Sequence, residues 1–77
     1  MNNEEQHYDD IAVDRFAVAM KAKLAKQRSR GYSGWEDPSK CSTDLLHYEL
    51  LKHIHKGDPV DVGNFAMMLF NRNELTS

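Results

Sequence analysis

Apolar residues recur along this chain at helical spacing in three separate runs. Val13, Phe16, Ala17, Met20 and Leu24 form the first stripe, and Leu46, Leu50, Leu51 and Ile54 form the second. Val62, Phe65, Ala66 and Leu69 form the third, with a further apolar strip, Val60, Gly63, Met67 and Phe70, beside it. The pattern predicts an all-α fold of three helices over about 8–30, 42–56 and 59–71. The turn Lys56-Gly57-Asp58-Pro59 fixes how the last two meet. Gly57 can close a helix in the left-handed conformation, Asp58 can cap the next, and Pro59 suits a first turn where no N–H is needed. An antiparallel C-terminal hairpin follows.

The third helix is apolar over an arc too broad for one neighbour. Either it packs against both other helices, or its second strip is an interface with another copy. Gly63 favours close approach of a second backbone on that strip, because glycine inside a helix costs about 1 kcal/mol against alanine. Val60, Gly63, Met67 and Phe70 are therefore the expected homodimer interface. Between the first two helices, residues 31–41 carry turn formers at nearly every second place. Tyr32 and Trp35 are expected to pin that long loop by burying their rings. Residues 1–7 and 73–77 are polar and expected to be flexible.

At 77 residues the chain makes a single domain, of a size at which one core is only marginally stable. The net charge of -2 gives no overall attraction to nucleic acid or anionic membrane. No apolar run reaches membrane-spanning length, and the single cysteine, Cys41, fits a reducing compartment such as the cytosol. The reading is a soluble cytoplasmic protein.

Candidate chemistry is sparse. His47 and His53 are six residues apart on the second helix, and His53 and His55 two apart, so no two share a face as zinc ligands would. His47 is expected at the edge of the core, and His53 one turn after Glu49, within hydrogen-bond reach. The basic run 21–30 followed by Tyr32 and Trp35 could bind a nucleic-acid strand, but its cations straddle the apolar stripe and sit where a helix C-terminus favours them anyway. A solvated face is the better reading. Glu49, Asp58 and Asp61 flank the hairpin turn and could face a magnesium ion, though so few oxygen ligands make capping and surface roles the simpler account.

Gly34-Trp35-Glu36-Asp37-Pro38, Leu45-Leu46 with His53, and the run from Lys56 to Leu69 reading KGDPVDVGNFAMML together resemble a family of short proteins and C-terminal modules encoded by tailed bacteriophages and prophages. The likeness covers about 12–72. It implies a small viral accessory protein in the bacterial host cytosol. Such a protein would inhibit or modulate a host component, for instance by blocking a defence complex or sequestering a nucleotide signal. Its partner would be a host protein or a small nucleotide ligand, with Tyr32, Trp35, His47, Glu49, His53 and Asp61 as candidate binding residues and no cofactor.

The run from Asp61 to Leu69 is also similar, more weakly, to the closing motif of MazG-like all-α nucleotide pyrophosphohydrolases. That likeness places Asp61, Asp58 and Glu49 on magnesium-holding acids of the family. Lys52 stands where another acid belongs, and His47-Tyr48 where an acidic pair belongs. Hydrolysis with magnesium is therefore the alternative reading, and binding without catalysis the preferred one.

Overall fold

The computed structural model describes residues 6–76, and side-chain surroundings for 6–73. Among the described residues there are three α-helices and no strand: α1 (Tyr8–Ser29), α2 (Thr43–Lys56) and α3 (Pro59–Thr76). The start of α1 falls where acidic residues suit the positive end of the helix dipole, with Asp9 and Asp10 in its first turn. His7 supplies the cap, its Nδ1 accepting from the Asp9 N–H at 2.9 Å, so the cap lies before the acidic pair and not within it. Ser42 caps α2 through its Oγ, which accepts from Leu45 N–H at 3.0 Å.

The α2–α3 turn follows its sequence signature closely. Gly57 closes α2 at φ 74°, its N–H donating to the Ile54 carbonyl, while Asp58 N–H reaches the His53 carbonyl. Asp58 Oδ1 then accepts the Asp61 N–H at 3.2 Å and caps α3. One boundary differs from expectation: α3 continues to Thr76 instead of ending near residue 71. Residues 1–5 and 77, expected to be flexible, lie outside the described residues.

Of the two arrangements open to α3, packing against both other helices is the one observed. Among the described residues α1 and α2 make no comparable contact with each other, so α3 is the shared support. Its most buried line is Asn64, Met68 and Arg72, spaced four residues apart between the two apolar strips read from the sequence. Flanking residues turn to opposite neighbours. On one side the Phe16 ring of α1 lies over Gly63, where an added Cβ would sit 2.5 Å from its Cζ. On the other side Phe65 meets the His53 ring of α2, with centroids 5.1 Å apart.

Among the described residues two apolar side chains are buried, Leu46 at 2% and Met68 at 8% exposure. Burial of each contributes roughly 1.5 to 3 kcal/mol. Several expected core positions face outward instead. Val13 of α1, Leu51 and Ile54 of α2 and Ala66 of α3 are exposed. In α2 the buried arc is rotated so that Leu46, Glu49, Leu50 and His53 face α3. His53 meets Asp61 and Phe65 of α3, and turning Leu51 inward would turn His53 out.

Candidate functional site: a groove bounded by all three helices and the tryptophan loop

Residues 30–42 contain no regular element, yet they are tied down. Arg72, 3% exposed, donates through Nη1 to the Trp35 carbonyl at 2.9 Å and the Cys41 carbonyl at 2.8 Å. Its Nη2 reaches Thr43 Oγ1 at 3.2 Å. Asp37 closes the inner turn, accepting the Ser39 N–H at 2.9 Å and the Ser39 hydroxyl at 2.7 Å. Those bonds, aided by the charges of Lys40 and Arg72, hold the Asp37 carboxyl below its usual value against a smaller effect of burial. Gly34 is buried at φ 90°, a conformation L side chains rarely adopt. The loop is thus pinned through backbone carbonyls on a buried guanidinium. The ring pins expected from the sequence hold only in part: Trp35 is half-buried, whereas Tyr32 is 68% exposed.

Between the pinned loop and the three helices lies a groove of about 900 Å³. Leu46, Phe65 and Met68 form its apolar floor, and Tyr32 and Trp35 stand along the loop side. Two acceptors in this groove have no hydrogen-bond donor. Asn64 is 3% exposed and donates through Nδ2 to the Met20 carbonyl at 3.3 Å, but its Oδ1 is buried without a partner. Gln27 Oε1 is likewise buried and unpaired. An unmet buried acceptor costs about 1–3 kcal/mol.

A charged cluster closes the end of the groove near the hairpin turn. Lys23 Nζ lies 2.9 Å from Asp61 Oδ2 and 3.8 Å from Asp58 Oδ2, joining α1 to the start of α3. His53 Nδ1 is 2.8 Å from the Glu49 carbonyl, which can only accept, so Nδ1 carries a proton. Its Nε2 then faces Asp61 Oδ2 at 3.7 Å, while Glu49 Oε1 lies 3.7 Å from Nδ1 and 3.9 Å from Lys52 Nζ. Hydrogen bonding to Asp61, whose backbone N–H donates to it, holds the Asp58 carboxyl below its usual value, with Lys23 and His53 adding. Among the described residues no group of three or more His, Cys, Asp or Glu is placed to hold a metal ion. Lys23 stands against the carboxylates where a cation would be held.

Of the candidate residues read from the sequence, Trp35, Glu49, His53 and Asp61 line one groove, with Tyr32 at its edge. His47 does not join them. It is exposed on α2, outside the groove, because the rotation that buries His53 turns it away from α3. Of the expected interface, Val60, Gly63 and Met67 are half-buried and Phe70 is 66% exposed. The close approach expected at Gly63 is made by the chain's own Phe16.

Sequence reasoning did not single out Lys23, Gln27, Asn64 or Arg72 as groove or loop residues. A signal existed for two of them: Gln27 occupies the place of the next apolar residue in the α1 stripe, and Asn64 is a polar residue amid an apolar helix. No helix of the described residues is long and apolar enough to cross a membrane. No family model matches the sequence, and no curated protein or solved structure shows significant similarity to it.

Proposed function

We propose that this chain is a binding protein whose groove captures a small ligand with inward N–H donors and an anionic group, the chemistry of a nucleotide signal. The supporting observation is the groove itself, with buried Asn64 Oδ1 lacking a donor and Lys23, Lys40, Lys52 and Arg28 lining its sides. Trp35 and Tyr32 offer aromatic surface to a planar ring, and the volume lies in the usual range for small-molecule sites, about 300–1,000 Å³. The likeness to phage-encoded accessory proteins supplies the setting. In the bacterial cytosol such capture withholds a signal from host defence, and no cofactor takes part.

The test is a titration of Trp35 fluorescence with a panel of nucleotides in the presence of a chelator. A saturable change, lost in Asn64→Leu with the fold intact, is the expected result. No change with any nucleotide removes this reading and leaves host-protein binding through Tyr32 and Trp35. The second reading, a reduced pyrophosphohydrolase using magnesium, draws on the convergence of Glu49, His53 and Asp61. Against it, Lys23 neutralises Asp61 and Lys52 lies beside Glu49. Metal-dependent pyrophosphate release from nucleoside triphosphates, abolished by Asp61→Ala, would establish it over binding alone.

A further inference from the structure

The outer face of α2, opposite the arc that meets α3, carries a row with two-fold character. Asp44, Tyr48, Leu51 and His55 follow one another at intervals of four, three and four residues, the spacing that keeps side chains in one line along a helix seam. All four are exposed, Tyr48 at 61% and Leu51 at 59%. The row has an acid at its first position, a basic side chain at its last and two apolar side chains between. Laid antiparallel on itself, it matches at every position: Tyr48 meets Leu51 of the second helix, Leu51 meets Tyr48, and each Asp44 meets His55. Such reciprocal pairing is what an isologous interface requires.

We propose that a second copy of this chain packs antiparallel along this face of α2, forming a two-fold dimer. Three features choose the second copy over another occupant. The Asp44 carboxylate and the His55 ring, which can donate a hydrogen bond to it, fall opposite one another when the helix is reversed against itself. Antiparallel helices also oppose their dipoles, placing the N-terminal end bearing Asp44 beside the C-terminal end bearing His55 and Lys56. Ile54, 52% exposed, stands on one flank of the row and extends its apolar margin. The competing strip on α3 has no such match, since Phe16 covers Gly63 and leaves Phe70 exposed beyond it. A seam of one 14-residue helix is short, about 21 Å. It sets a reversible dimer at the low end of interface size.

This inference is independent of what the groove binds. The seam faces away from α3, so both copies keep their grooves open.

Sedimentation velocity over the micromolar to millimolar range tests it. The expected result is a monomer–dimer equilibrium that Leu51→Lys weakens about tenfold or more, as loss of a central contact does, while Phe70→Lys leaves it unchanged. Asp44→Arg should weaken it too, by removing at both ends of the seam the carboxylate that faces the His55 ring. Adding His55→Glu to that chain should restore it, a rescue that simple loss of structure would not give. Far-UV circular dichroism at the lowest concentration checks that each exposed substitution leaves the helices formed. A monomer at every concentration overturns the proposal, as does a dimer that Phe70→Lys disrupts and Leu51→Lys does not.

Discussion

Gly63 and Phe16 fit together as a notch and a ring: a Cβ built on the glycine would stand 2.5 Å from Cζ and 2.6 Å from Cε2 of the phenylalanine. Two effects oppose each other at this position. Alanine is the better helix former by about 1 kcal/mol, whereas overpacking costs about 1–3 kcal/mol. The clash should win, so Gly63→Ala is expected to destabilise the protein by up to about 2 kcal/mol. In a Phe16→Leu background the same change should become stabilising. Urea unfolding of the four chains of this cycle reads the reversal of sign directly.

Arg72 ties the loop to α3, and its loss should be felt at the tryptophan. Removing the guanidinium leaves the Trp35 and Cys41 carbonyls without that donor. Arg72→Leu is expected to cost about 2–3 kcal/mol, enough to lower Tm by roughly 10 °C in a domain this small. Emission from Trp35 should shift to the red even well below the transition, because the loop loosens before the helices part. An unshifted spectrum would mean the loop is held by something else.

Lys23 is 27% exposed and its partner Asp61 15%, between a surface pair and a buried one. Lys23→Met should destabilise by about 1–3 kcal/mol, chiefly by leaving the Asp61 carboxylate without its ammonium. Asp61→Asn in that background should then recover part of the loss, since the uncompensated charge is removed. Equal losses that simply add would show that the pair contributes nothing as a pair.

Acid should weaken the fold through two turns. Asp37 and Asp58 both have folded-state values below the ordinary 3.8, held there by hydrogen bonds to Ser39 and to Asp61 respectively. A depressed carboxyl stabilises the folded chain above its unfolded value and loses that contribution as pH falls through the folded one. The effect therefore belongs below about pH 4. Asp37→Asn with Asp58→Asn should flatten the stability profile between neutral pH and that range, measured by urea midpoints at each pH. A profile as steep as that of the parent chain would assign the acid transition to other groups.

Much of the architecture was legible because turns and caps are local chemistry. Ser42, Gly57, Asp58 and Pro59 each act within four residues of themselves, so the hairpin could be placed from composition and order alone. Helix faces were harder. Leu51 and Ile54 were assigned inward on hydrophobicity, whereas the inward arc carries Glu49 and His53, the latter facing Asp61 and Phe65 of α3. The same holds for Asn64 and Arg72: their roles depend on a carbonyl of Met20 and carbonyls of the loop, distant in sequence. Trp35, Glu49, His53 and Asp61 could be named one by one, but nothing in their spacing said that Lys23 would pair with Asp61.

Because α1 and α2 each rest on α3 and hardly on each other, the molecule is built like a book whose covers share a spine. A guest that grips both covers narrows the angle between them without disturbing the spine. Hydrogen exchange should register this as slower opening of the α1 amides on capture, with the middle of α3 already the slowest in the empty protein.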